Sequence, residues 1–241
     1  MSLLTICQDA SNEIGISQPS SLARSTNPES QKLLRYAKKV GSTLAKGFPW
    51  QILRKEGTFT SIGNETQTSI LPSDFDRFVA ETFWNKTDKT LMIGPISSVE
   101  WNSLKANAYD DDSKVKYVLR GDSILTVPAM TAGKSLAFEY VSTNWCQSSG
   151  GVAQSTWVAD TDTGILNEEL ITRGVIFEFL WGDGLPADVA YESFDQYYKV
   201  LMDNDNPDAD ILVAGDIFKG NRHFIGTQIG RRRVGKECRS R

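Results

Sequence analysis

Apolar residues recur at helical spacing at both ends of the chain and at strand spacing between them. Leu3, Cys7, Ala10 and Ile14 fall on one helical face, which predicts a short helix over residues 2–14 with Ser2 as cap and Gly15 as stop. A polar stretch from Ser17 to Ser25 follows. Asn27-Pro28 opens a second helix, since Asn caps well and Pro fits the first helical position. Its apolar stripe is Leu33, Ala37, Val40 and Leu44, with Leu34 and Gly41 beside it. Lys32, Arg35, Lys38 and Lys39 make a basic outer face that reads as a solvated surface. The helix ends near Gly47.

From Trp50 to Trp145 the pattern turns to strands. Phe59–Ile62 and Thr66–Leu71 flank Gly63-Asn64 and predict a hairpin. Arg77–Trp84 and Thr90–Ile93 flank a polar turn, Tyr117–Arg120 and Ser123–Val127 flank Gly121-Asp122, and Lys134–Ser142 is a further strand. One helix interrupts the block: Ser97 and Glu100 form a capping box, with Trp101, Leu104 and Ala108 on the buried side. Residues 146–160 read as a polar loop. A strongly apolar helix follows, capped by Asp162 or Thr163, with Glu168 and Glu169 near its positive end. Ile165 to Trp181 make it apolar almost all round, as expected of a helix central to a core or a subunit contact, and Phe177 and Trp181 are expected to be buried. Gly182-Asp183-Gly184 breaks it. Pro186 opens a last helix with Ala190, Phe194, Tyr197 and Leu201 on one face, ending in the acidic stretch Asp203–Asp210.

This order defines an α+β chain. The expected architecture is an antiparallel helical bundle of the N- and C-terminal helices, residues 1–48 and 147–214. A β-rich subdomain with one helix is inserted at 49–146, and an extended basic arm follows at 215–241. The composition fits: 241 residues, 40% hydrophobic and 23% charged, are ordinary for a globular chain with a real core. The net charge of −4 is unevenly divided. Residues 219–241 carry eight cations against Glu237 alone, a net +7, which leaves −11 for residues 1–218. An acidic body is joined to a tail that seeks an acidic surface or nucleic acid.

Candidate chemistry is sparse. His223 is the single histidine and lies in the basic tail, so histidine-based triads and metal sites have no rigid partner set. Cys7, Cys146 and Cys238 form no CxxC pair. Their odd count and wide spacing fit a reducing compartment, and Cys7 and Cys146, in locally apolar sequence, read as buried inert thiols. Gly133-Lys134-Ser135 ends like a P-loop, but Pro128 stands where the first glycine belongs. Asp160 and Asp162 begin like a calcium loop, but Ile171 stands where the bidentate Glu belongs. Asp110-Asp111-Asp112 reads as a solvated loop, and Arg120-Gly121-Asp122 as a hairpin turn. No apolar run reaches the ~18 residues of a membrane span, and no signal peptide is expected, so the sequons at Asn64 and Asn85 carry little meaning. The expectation is a protein that is not an enzyme, with no cofactor, no metal and no membrane.

Several runs resemble the head–tail adaptor (connector) proteins of short-tailed phages, the tail tubular protein A or tail accessory factor class. They are Leu71-Pro72-Ser73-Asp74-Phe75-Asp76-Arg77, Gly94-Pro95-Ile96-Ser97 before Trp101, and Arg120-Gly121-Asp122-Ser123-Ile124-Leu125 before Pro128-Ala129. They continue with Phe138–Trp145, with Ala159–Thr163 leading into Leu166–Leu170, and with Gly184-Leu185-Pro186. They run collinearly from about Leu3 to Tyr198. The resemblance implies a structural virion protein, made in the host cytoplasm. It would form a dodecameric ring on the portal protein, extend the channel through which genomic DNA passes, and carry the nozzle and, in some phages, tail fibres. The tail after Gly215 has no counterpart in the family pattern. Its Phe218, Arg222, Phe224, Ile225, Arg231, Arg232 and Arg233 are candidates for contacting portal or a neighbouring subunit, because arginine pairs bidentately with carboxylates and the apolar residues can fill pockets. Two other classes stay open: a nucleic-acid-binding regulator using that tail, and a carboxylate-dependent hydrolase on the β block.

Overall fold

Local capping chemistry sets the helix ends in the computed structural model, which describes residues 1–106 and 114–205. Helix α1 spans Leu3–Ile14. Ser2 Oγ accepts from Thr5 N and Thr5 Oγ1 accepts from Ser2 N, a reciprocal box, while Gly15 closes the helix in the left-handed region. Helix α2, Pro28–Gly47, starts as expected, with Asn27 Oδ1 accepting from Glu29 N at 2.8 Å.

The β block comprises β1 (Arg54–Thr60), β2 (Thr66–Gln67), β3 (Phe75–Phe78), β4 (Trp84–Asn85), β5 (Thr90–Leu91), helix α3 (Ser98–Ala106), β6 (Lys116–Arg120), β7 (Ser123–Val127) and β8 (Ser135–Ser142). All pairings between these strands are antiparallel. One sheet runs β1-β8-β4-β5 with β3 also on β8; another runs β2-β7-β6. The hairpin expected across Gly63-Asn64 does not form. β1 pairs with β8 and β2 with β7, and the buried Gln67 side chain takes the place of a ladder by accepting from Ile62 N and donating to the carbonyls of Ile62 and Asn64. The β6–β7 hairpin forms as expected, turning at Gly121, φ +58°; the strand expected over Arg77–Trp84 is instead split into β3, which pairs with β8, and the short β4, and only β4 makes a two-residue hairpin with β5. Ser97 Oγ caps α3 by accepting from Glu100 N at 3.1 Å; the Glu100 carboxylate pairs with Lys116.

Residues 146–160 are more ordered than a polar loop. They hold β9 (Cys146–Gln147), β10 (Ala153–Gln154) and the fully buried Trp157, and β11 (Thr163–Gly164) completes this small sheet. Helix α4, Glu168–Gly182, therefore starts later than Asp162 or Thr163. Asn167 is the cap, accepting from Leu170 N at 2.9 Å, because Asp162 is already occupied with the amides of Val158 and Ala159. Helix α5, Asp188–Asp205, closes the described chain.

Two large cores result, within one compact unit, Met1–Pro207. In the first, α4 packs on α1, α2 and α5. Gly41 of α2 lies under the Trp145 ring, where an added Cβ would stand 2.1 Å from ring carbon, and Gly174 of α4 admits Val40 in the same way at 2.6 Å. Trp157 meets Trp145 edge-on, centroids 5.1 Å apart. The second core is aromatic. Phe59, Phe78, Phe83 and Tyr140 surround Phe138, whose ring occupies the space a side chain at Gly57 would need. A smaller cluster of Trp101, Val118 and Val127 seats α3 on the β6–β7 hairpin. Strand β8 serves both large cores. Leu136, Phe138 and Tyr140 enter the aromatic one, while Val141 and the following Trp145 enter the helical one.

Candidate functional site

Asp160 and Asp162, singled out for chemistry, hold the fold together. Asp160 accepts from Ser21 Oγ at 2.7 Å, Leu22 N at 3.0 Å and Ala23 N at 2.8 Å, while its own carbonyl receives Leu4 N. Burial pushes its carboxyl up, but these hydrogen bonds and the nearby Arg24 charge outweigh that and hold it below the usual carboxylate range. The Asp162 carbonyl receives Leu3 N at 2.7 Å. The two aspartates thus tie the start of α1 and the Pro19–Ala23 loop to the segment before α4, with their carboxylates turned onto backbone amides.

Cys7 and Cys146 are fully buried. Burial first, and the charges of Asp160 and Asp162 second, push both thiols up to about 12, so neither offers a thiolate nucleophile at neutral pH. Lys134, from the P-loop-like run, pairs with Asp88 at 2.6 Å. No group of three or more His, Cys, Asp or Glu among the described residues could hold a metal ion, and no described helix is long and apolar enough to cross a membrane. His223, Cys238, Asp110-Asp111-Asp112, and the tail candidates Phe218, Arg222, Phe224, Ile225, Arg231, Arg232 and Arg233 lie outside the described residues.

What the described residues do present is an unusual helical surface. Phe177 is half-buried against Tyr191 and Phe194, and Trp181 is 69% exposed, so the expected burial of that pair is corrected. α4 is apolar over most of its surface, and its Ile171, Val175 and Phe179 are buried in the helical core. Among the described residues, Tyr191 and Phe194 of α5 pack on Phe177, while Trp181 touches Phe177 and is otherwise largely exposed. Helix α5 has no fully buried residue over 18 residues. Its inner side, Ala190, Phe194, Tyr197, Tyr198 and Leu201, leans on the helical core, and Arg173 of α4 stacks on Tyr197 at 4.5 Å. Its outer side exposes Val189 (81%) and Val200 (53%) along a groove of about 400 Å³ shared with Glu192 and Gln196.

The basic face of α2 is only partly solvated. Lys32 pairs with Asp183 at 2.6 Å and Lys39 with Glu178 at 2.6 Å, both across to α4. Arg35, Lys38 and Lys46 make no ion pair with any described residue. Charge per helix, legible in the sequence, could have pointed to this pair of surfaces; which way each helix faces could not. No protein-family model matches the chain, and no curated protein matches it.

Proposed function

We propose that this chain is a head–tail adaptor of the short-tailed phage class, a structural virion protein that docks on the portal as a ring and lines the exit channel for DNA. Several of the runs that resemble that family sit at structural joints, and that is the observation behind this proposal. Asp74, in the Leu71–Arg77 run, accepts from Lys55, Tyr140 and Ser142 where β1, β3 and β8 converge. Phe138–Trp145 passes from one core into the other. Ala159–Thr163 clamps α1, and Gly184-Leu185-Pro186 leads into α5.

The architecture that goes with this function is a bundle of α1, α2, α4 and α5 with the β block inserted at about residues 49–146, and a basic arm at 215–241 that reaches portal or a neighbouring subunit. An acidic body suits a DNA channel, since like charge keeps the duplex from sticking to the wall. The nozzle and, in some phages, tail fibres are the further partners, and assembly takes place in the host cytoplasm.

Negative-stain imaging of the chain mixed with its cognate portal tests the proposal. A ring capping the portal is expected, with the chain alone remaining monomeric or a small oligomer. No ring, together with tight DNA binding, would instead establish the rival reading, a nucleic-acid-binding regulator working through the +7 tail. Deleting residues 219–241 is expected to leave the fold intact and to abolish portal attachment.

A further inference from the structure

Helices α2 and α5 carry equal and opposite net charge. Over Pro28–Gly47, Lys32, Arg35, Lys38, Lys39 and Lys46 stand against Glu29, a net +4. Over Asp188–Asp205, Asp188, Glu192, Asp195, Asp203 and Asp205 stand against Lys199, a net −4. On α2, Arg35, Lys38, Ser42 and Lys46 follow one another at intervals of three or four and form a single stripe; Lys38 and Ser42 are half-buried, and Ser42 and Lys46 border a shallow cleft shared with Asp76, Ser142 and Trp145. On α5, Glu192, Gln196, Val200 and Asp203 form another, bordering the groove beside that helix. Glu192 and Asp203, like Arg35, Lys38 and Lys46, have no ion-pair partner among the described residues.

We propose that α5 of one copy docks antiparallel on α2 of a second copy. With Ser42 set opposite Gln196, the same register places Lys46 against Glu192, Arg35 against Asp203, and the aliphatic stem of Lys38 over Val200. All four positions match at once because the intervals along the two stripes are mirror images. Each stripe runs roughly 17 Å at 1.5 Å per residue, so the whole length is used. The contact buries an exposed valine and neutralises cations and carboxylates that lack ion-pair partners among the described residues, and charge of this kind sets register and orientation more than raw affinity. The two surfaces are different patches of one molecule, so the contact is head-to-tail and repeats from copy to copy, closing into a ring or continuing as a filament. As the seam of a closed ring it rests on the adaptor reading; as a contact between two copies it rests on the helices alone.

The test uses the full chain without portal, so its failure is separable from a failure of portal docking. Equal amounts of light- and heavy-nitrogen protein are mixed at low salt and treated with a carbodiimide, which joins amines only to carboxylates in direct contact. Mixed-isotope peptides coupling Lys46 to Glu192 are expected. Arg35→Glu should reduce this coupling roughly tenfold or more, as should Asp203→Lys, since each makes one end of the contact like-charged while Lys46 and Glu192 stay able to react. Arg35→Glu, Lys46→Glu, Glu192→Lys and Asp203→Lys together in one chain should restore it, now through residue 46 as the acid and residue 192 as the amine. Circular dichroism checks that each variant keeps its fold. Coupling of Lys46 to Glu192 only within one isotope, intermolecular coupling through other positions instead, or loss in the fourfold variant overturns the proposal.

Discussion

The helical core is assembled from aliphatic side chains and tryptophans brought close by small residues. Gly41 and Gly174 let a tryptophan and a valine lie directly on helix backbone, and capping groups set where the helices begin. The β core has no long regular ladder except β1 with β8; its other strands on that sheet are two to four residues long. It is held instead by rings around Phe138 and by side-chain hydrogen bonds such as those of Gln67 and Asp74. Backbone regularity carries one region and side-chain chemistry the other. They meet on β8, whose alternating faces feed both.

The largest expected effects probe that meeting. Trp145→Ala in the helical core and Phe138→Ala in the β core should each cost about 3–5 kcal/mol, as full burial of large rings implies. If β8 couples the cores, tryptophan fluorescence and far-ultraviolet circular dichroism will report one coincident transition in both variants, and separate transitions would dissolve the coupling. Next come Gly41→Ala and Gly57→Ala. Each sets a methyl under 3 Å from a buried ring and should cost about 1–3 kcal/mol in chemical denaturation, as overpacking does.

The Asp74 junction separates the regions by pH. Burial pushes its carboxyl up, but the hydrogen bonds from Lys55, Ser142 and Tyr140 and the Lys55 charge outweigh it, leaving it below the usual range. A carboxyl lowered on folding contributes stability that is fully present above its unfolded value, near ~3.9, and is lost as pH falls through the lower folded value. Asp74→Asn should therefore cost about 1–3 kcal/mol at neutral pH, with the difference from wild type shrinking in acid; a gap that persists at low pH would show that shape rather than charge matters there. The smallest effect belongs to Trp181→Ala, about 0.5 kcal/mol by thermal melting, because that ring is mostly in water despite its apolar helix. A loss comparable to that of Trp145→Ala would mean α4 is buried all round after all.

What could be read from the sequence was what neighbours along the chain decide. The caps at Ser2, Asn27 and Ser97 bond amides two or three residues away, and Gly121 turns a hairpin between adjacent strands, so these elements fall where the pattern places them. The opposite charges of α2 and α5 were equally legible. The tertiary structure decided the rest. β1 chose the distant β8 over its neighbour β2, because Gly57 could accept the Phe138 ring and Gln67 could satisfy the local backbone. Asp162 was drawn to the amides of Val158 and Ala159, and the start of α4 passed to Asn167. Periodicity shows that α4 is apolar almost all round, but only its neighbours determine which side is covered: Val175 and Phe179 are buried in the helical core, while Trp181 is left largely in solvent.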